Sequence, residues 1–364
     1  MDEKGKNLIE ESEATAMVVG FIIGTSILAL PYGVVQDAKQ DGWISVIVGG
    51  VYPLYIALLA TYYSKKHPSQ DILALSNIYL GRVLGTTCNI LFMVEFAIYT
   101  IAAIVSLSNI FRVYATPFLT PIKIFIPTLL LSIYLSDKGL KVLGRINKIS
   151  LYIIVVLTLS LLATLKSGNY LNLLPVFGTG VKNILSGSIE SSLAYGGMEA
   201  IFLFYPLLKE KGKVKKITLK ALFITMAIYV WVTFVCIYCL GYKVTSIALW
   251  PILLVTEGLN VPILNSFRFL FLFLWSIAMF KIIANEHFAF TYILSDVLKI
   301  KDKKKMYWII FPVVLYLCLT IKNEVQRRVL LSYVVPKITL FNIAYISIIA
   351  ILIFIKDRSR KFHT

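Results

Sequence analysis

Gly20-Phe21-Ile22-Ile23-Gly24-Thr25-Ser26-Ile27-Leu28-Ala29-Leu30-Pro31 is an apolar run broken in its middle by a glycine and two small hydroxyl residues. It lies within an apolar segment spanning about residues 14–36, long enough to cross a bilayer as helix, which takes about 20 apolar residues. At a rise of about 1.5 Å per residue, Gly24, Thr25 and Ser26 fall near the bilayer midplane. A second stretch, Ser191-Ser192-Leu193-Ala194-Tyr195-Gly196-Gly197-Met198-Glu199, carries a glycine pair about ten residues into its own apolar segment. Working outward, ten apolar segments divide the chain: about 14–36, 42–63, 84–111, 119–135, 142–165, 184–206, 217–240, 264–295, 306–321 and 334–355. The interrupted segments are the first and the sixth. They open two halves of five, and an odd number of crossings per half makes the halves antiparallel.

Glycine-interrupted spans at matching places in two halves imply an inverted repeat with a binding site at the midplane. The alternative is that Gly, Ser and Thr only let helices pack closely. That accounts for one such stretch better than for two in register. An unwound stretch in hydrocarbon leaves amides and carbonyls in need of partners. The N-terminus of a new half-helix attracts a carboxylate. The opposite half-helix end and the freed carbonyls suit an ammonium. The combination matches a zwitterionic amino acid, with Gly24, Thr25, Ser26, Ile27, Tyr195, Gly196 and Gly197 as candidate ligand contacts.

Composition agrees. Of 364 residues 58% are hydrophobic and 15% charged, and mean hydropathy is +0.81. Soluble proteins run at about 45–50% apolar and about 25% charged. A large soluble catalytic domain and a disordered chain are both excluded. Ile22–Leu30 and Leu151–Leu162 lack the alternation of a barrel strand, so the spans are helices. The expectation is an all-α integral membrane protein, residues 1–364 forming a single transmembrane domain with repeats of about 14–165 and 184–355. The acidic start, Met1 to Glu13, does not read as a signal peptide. Cys88, Cys236, Cys239 and Cys318 sit in apolar segments and read as small buried residues. The Cys236/Cys239 spacing has no second pair to complete a zinc site. No cofactor or metal is implied. HExxH, GxSxG and Walker A patterns are absent, and Gly178-Thr179-Gly180 lacks a phosphate-loop context; the chain does not read as an enzyme.

The net charge is +17. With the N-terminus inside, 24 basic residues fall in inner segments and 8 in outer ones. The positive-inside rule then places both termini in the cytoplasm. It also accounts for the lysines at 209–220 and 299–305, with anionic lipid headgroups as their possible contact and no nucleic-acid partner required. Between the seventh and eighth segments, Tyr242 to Pro262 reads as an outer loop in which Ile247 to Leu254 forms a short interfacial helix carrying Trp250.

Ile23-Gly24-Thr25-Ser26-Ile27-Leu28-Ala29-Leu30-Pro31 resembles the first-helix motif of the B subunits of bacterial spore germinant receptors, members of the amino acid–polyamine–organocation transporter superfamily. Tyr195-Gly196-Gly197-Met198-Glu199 with Tyr205-Pro206 is similar to their sixth-helix pattern, Met198 replacing an aromatic. Trp250-Pro251 resembles their outer-loop Trp-Pro, and Phe271-Leu272-Phe273-Leu274-Trp275 through Lys281 their eighth helix. Where the family often has acidic and arginine residues before that helix, this chain has Asn265, Ser266 and Arg268. The resemblance implies a LeuT-like fold of ten helices in a five-plus-five inverted repeat. It also implies an amino acid or similar germinant as ligand, partner A and C subunits, and the inner spore membrane as location.

Ionisable residues at membrane depth suggest function. Lys281 lies about seventeen residues into the eighth segment. In this fold that helix faces the first, where many relatives hold sodium. Lys281 either substitutes for that cation on the carbonyls of the broken first helix or forms a structural ion pair with Glu95. Tyr99 shares a helix face with Glu95 and either closes over the ligand or packs. Glu199 either orients the ligand's ammonium or caps the second half-helix. Glu286 and His287 lie nearer the inner face, where the histidine reads as structural, and Arg268 can snorkel outward. Two functions use the same pocket: a germinant-binding receptor subunit and a proton-coupled amino-acid or polyamine transporter. The charge distribution is tested by fusions after Thr364. Green fluorescent protein there should fluoresce and alkaline phosphatase should be inactive; an active phosphatase would invert the topology.

Overall fold

The computed structural model describes residues 8–258, 267–300 and 303–362. The first helix, α1 (Glu11–Ile22), starts where Glu13 reaches back to accept the Glu10 amide at 3.0 Å, closing a capping box. The chain unwinds after Ile22 and resumes as α2 (Ser26–Ala38). Gly50 divides the second apolar segment into α3 (Gly42–Gly49) and α4 (Val51–Lys66). A short helix, α5 (Ile72–Tyr79), is capped by Asp71 through the Ala74 amide. Then come α6 (Arg82–Tyr114), α7 (Pro121–Asp137) and α8 (Leu140–Ser160), the last tightening into a 3-10 stretch, Leu161–Ser167. The sixth apolar segment is again divided, into α9 (Val181–Ala194) and α10 (Met198–Leu207). α11 (Val214–Thr245), bent at Gly241, leads to the short α12 (Pro251–Glu257) and to α13 (Phe267–Leu298), α14 (Lys303–Thr320) and α15 (Glu324–Phe362).

Among the described residues six helical runs are long and apolar enough to cross a membrane: Ser26–Lys66, Arg82–Tyr114, Leu140–Ser167, Lys211–Thr245, Phe267–Leu298 and Glu324–Arg358. Met198–Leu207 and Met306–Thr320 are shorter apolar helices. Leu58, Ile149, Trp308 and Leu340 are exposed along these helices. Such a surface requires a hydrocarbon solvent, because soluble monomers rarely expose large contiguous apolar patches. The chain is an all-helical integral membrane protein.

Two elements depart from expectation. The last helix begins at Glu324, about ten residues before the apolar segment does, because the polar turn satisfies itself. Glu324 accepts from Arg327 Nε at 2.9 Å, Arg328 Nε at 3.0 Å and Asn109 Nδ2 at 3.2 Å. The outer helix is Pro251–Glu257 rather than 247–254, since proline is pre-shaped for the first helical turn. Trp250 before it is 3% exposed, against Tyr114 at 5.8 Å, and so is buried in the bundle rather than placed at the lipid interface. Arg268 pairs with Glu257 at 2.7 Å and lies over Tyr114. Lys4, Lys6, Pro262, Asn265, Ser266 and Lys301 lie outside the described residues.

The helices meet where side chains are small. α9 packs on α2 and α3, and α13 packs on α6, α7 and α8. A Cβ at Gly49 would lie 2.1 Å from Ser191 Oγ and 3.0 Å from the Ser188 carbonyl oxygen. That closeness lets Ser191 donate to Ser45 O at 2.9 Å and Ser192 to Gly49 O at 3.2 Å. At the end of the bundle that carries the N-terminus, Ile9 pairs with Leu208 as an isolated parallel bridge. Beside it Glu11 receives Lys216 at 2.7 Å and Lys213 at 3.1 Å, and these ammoniums hold its carboxyl below the usual range. Gly49→Val should destabilise the bundle by about 1–3 kcal/mol, the cost of overpacking a tight interface. Thermal unfolding in detergent reads this, and an unchanged midpoint would contradict the packing.

Candidate functional site

The first break is held from three sides. Ile23 turns to φ −83°, ψ 108°, which takes its carbonyl and that of Gly20 out of the helical ladder. Lys281 of α13, 1% exposed, donates to Gly20 O at 3.0 Å and Ile23 O at 2.9 Å. Ser26 Oγ donates to Ile22 O at 3.1 Å and lies 2.6 Å from the Tyr229 hydroxyl. That hydroxyl is also 3.0 Å from Ile22 O and 3.3 Å from Ala194 O. One tyrosine of α11 thus touches the last carbonyl of α1 and the last carbonyl of α9.

The second break turns on Gly197, whose φ of +102° suits glycine alone. A Cβ there would lie 2.4 Å from the Phe21 carbonyl oxygen, so the two breaks touch through backbone. Glu199 folds back and accepts the Gly197 amide at 2.8 Å, which caps the start of α10. Tyr195 donates to Val46 O at 3.1 Å and packs its ring on Tyr229 at 5.3 Å.

Between the breaks lies a cavity of about 420 Å³. Thr25, Ser26, Tyr99, Gly196, Ile282 and Glu286 line it, and it continues past Tyr32 and Glu190 to Arg327 and Arg328. A Cβ on Gly196 would lie 2.6 Å from the Tyr99 hydroxyl, so the glycine makes room for that ring. Beyond the cavity floor the route is filled. Asn147 and Asn285 exchange hydrogen bonds at 2.8 and 2.9 Å. Tyr292 donates to Asp71 Oδ2 at 2.8 Å, and the Tyr205 hydroxyl bonds the carbonyls of His67 and Gln70.

Of the residues singled out in the sequence, Thr25, Ser26, Tyr99 and Gly196 come together on this cavity. Gly24 and Ile27 do not: Gly24, in the unwound stretch, and Ile27, on the first turn of α2, face a separate small apolar cavity beside Phe271 and Trp275. A Cβ on Gly24 would meet Ile282 Cδ1 at 2.4 Å, so Gly24 serves the approach of α13. Tyr195, Gly197 and Glu199 shape the second break from behind rather than facing the cavity. For Glu199 the capping role is the one the backbone uses, because the amide freed by the left-handed turn lies nearest to its carboxylate. Lys281 makes no ion pair with Glu95, which instead accepts from Asn342 Nδ2 at 2.6 Å. The ammonium, with three donors and no acceptor, goes where two carbonyls have lost their own partners. Sequence reasoning missed Tyr229, which sits in a uniformly apolar segment with no local signal. It did not assign Glu286 to the cavity, which that residue lines. His287 is structural, its Nδ1 2.9 Å from Ser132 Oγ. No group of His, Cys, Asp or Glu among the described residues is arranged to hold a metal.

Two interrupted helices around a cavity, inside a helical bundle, define a LeuT-like transporter fold. Solved structures agree. The complex of MhsT with L-phenylalanine superposes with a TM-score of 0.65 over 94% of this chain and 87% of that one, at 11% identity. A sodium-coupled sialic acid symporter in a substrate-bound outward-open state gives 0.61 over 95% and 78%, at 10% identity. The chain belongs to the spore germination protein family, whose model matches residues 8–327. Spore germination protein YndE of Bacillus subtilis (strain 168) is 24% identical over 323 residues, covering 87% of this chain and 88% of that protein. Spore germination protein B2 of the same organism is 23% identical over 309 residues, 82% of each.

The cavity's one-sided opening predicts its accessibility. With the four native cysteines replaced, Ala29→Cys should react with a membrane-impermeant maleimide from the side where Arg327 and Arg328 lie, and Asn285→Cys should not. Labelling of Asn285→Cys alone would place the opening at the other end.

Proposed function

We propose that this chain is the membrane-embedded B subunit of a spore germinant receptor, binding an amino acid or similar small germinant in the cavity between the two breaks. The observation that carries the reading is the cavity itself: mostly apolar, with a few polar groups, among them Thr25, Ser26, Tyr99 and Glu286, set into its wall. Its volume suits a small-molecule ligand. MhsT, which shares the fold, binds L-phenylalanine in its complex, and this favours an amino acid here. Ten membrane helices in two inverted halves of five, about 14–165 and 184–355, put both breaks at the midplane and both termini in the cytoplasm. The location is the inner spore membrane, with A and C subunits as partners.

In this reading the start of α2 offers amides to the ligand's carboxylate. Lys281 stands where a sodium ion would otherwise bridge the broken first helix to α13, so the subunit works without that ion. Ligand affinity must differ between two conformations for binding to signal, and the contact between the breaks is where such a difference arises. The same lysine also supports a second reading, a proton-coupled amino-acid or polyamine transporter, because a buried ammonium can exchange a proton.

The test is binding of the common amino acids to the purified chain, repeated on Ala29→Trp, which fills the cavity from α2. Binding should fall below detection in the variant; equal binding in both would remove the site. Uptake into vesicles by the chain alone separates the two readings, since concentrative uptake would make it a transporter. In spores, Lys281→Ala should abolish germinant-triggered loss of optical density in sodium-free medium. A normal response there would refute the role given to the lysine.

A further inference from the structure

At membrane depth Glu286 stands within electrostatic reach of two other buried carboxylates, Glu95 and Glu199, and of Lys281. Their hydrogen bonds divide them. Glu95 holds Asn342, and Glu199 holds the Gly197 amide. Lys281 is committed to two carbonyls. Glu286 is fully buried, and neither of its carboxylate oxygens has a partner. It is also the only one of the three that lines the cavity. The Tyr99 hydroxyl, another wall of the same cavity, is buried beside the Glu95 carboxylate. The two arginines at the cavity mouth are already engaged. Arg327 is bound to Glu324, and Arg328 is bound to Glu324 and to Leu249 O and lies over Tyr32.

A buried carboxylate without hydrogen bonds or a counter-charge is costly, and natural structures pair such groups. The charges around this one are the wrong sign or occupied. What is missing at Glu286 is therefore a donor carrying positive charge, on a molecule small enough to enter the cavity.

We propose that Glu286 anchors the ammonium group of the cavity's ligand, so that the ligand class is a primary amine with an aliphatic or aromatic remainder. Tyr99 is the second polar contact at that end. Phe21, Leu30, Ala103, Leu193 and Val335 form the apolar wall for the rest of the molecule. The proposal rests on the cavity being the ligand site, as argued above, and adds which ligand group is obligatory and which side chain reads it.

The experiment is calorimetric titration of the purified chain with three probes of one shape: L-leucine, 2-hydroxy-4-methylpentanoate and 3-methylbutylamine. Wild-type protein should bind the two amines and not the hydroxy acid. Glu286→Gln should weaken both amines by about 30-fold or more, the loss expected when one partner of a buried charge pair is removed. Glu286→Asp should recover part of that loss. Equal affinity of the amines for wild-type and Glu286→Gln overturns the proposal, as does binding of the hydroxy acid at the strength of L-leucine; both leave the cavity as the ligand site. Amine binding that survives Ala29→Trp overturns the cavity reading instead. No binding of either amine to wild-type protein overturns both. Should Glu286→Gln not fold, the amine-against-hydroxy-acid comparison on wild-type protein decides.

Discussion

An ammonium group donating to two backbone carbonyls in the middle of a lipid-facing bundle is the contact on which the other features depend. Lys281 bonds Gly20 O and Ile23 O from a helix more than 250 residues further along the chain, at separations of 261 and 258. Without a donor there, the break in the first helix would leave carbonyls unsatisfied in a medium that offers no water. Without those carbonyls, the lysine would be a buried charge with no compensation, which costs several kcal/mol even after relaxation. Each makes the other tolerable. The pair also pins α13 to α1, and this sets the floor of the cavity at the level of Ile282 and Glu286.

The second break is built differently and depends on the first. Gly197 adopts a left-handed turn in van der Waals contact with the Phe21 carbonyl, where a side chain has no room. Tyr229 reaches the last carbonyl on each side of this contact. The two interruptions are thus one structure, joined by a backbone contact and a shared hydroxyl. Any ligand between them meets both halves at once. This arrangement is needed whether the outcome is a signal to partner subunits or release of a solute on the other side. Family membership bears on which of these the chain performs; the cavity geometry is common to both.

The bundle around this centre is asymmetric. Toward the N-terminal end it is closed by the Asn147–Asn285 pair, the Tyr292–Asp71 bond and the ion pairs of Glu11. Toward the other end the cavity runs out past Glu190 to the arginines of α15. These closures combine buried hydrogen bonds with partly exposed ion pairs, and Ile9 and Leu208 are buried at the same end.

By itself the sequence determined that the chain is helical and membrane-embedded, that two of its spans are interrupted, and which short motifs flank the interruptions. These follow from composition, segment length and the placement of glycine, all local properties of a chain in hydrocarbon. It also pointed to Lys281 as unusual, since a charge at that depth demands a partner. Tertiary structure alone decided which partner that is, because the carbonyls of Gly20 and Ile23 and the carboxylate of Glu95 all lie far from Lys281 in the sequence and only packing sorts them. It turned Gly24 and Ile27 away from the cavity that Thr25 and Ser26 face: Ile27 follows Ser26 on α2, where neighbouring residues point about 100° apart, and the unwound stretch sets the direction of Gly24. It brought Tyr229 to both breaks and left Glu286 without a partner. Neither can be read from a segment whose neighbours in space lie hundreds of residues away.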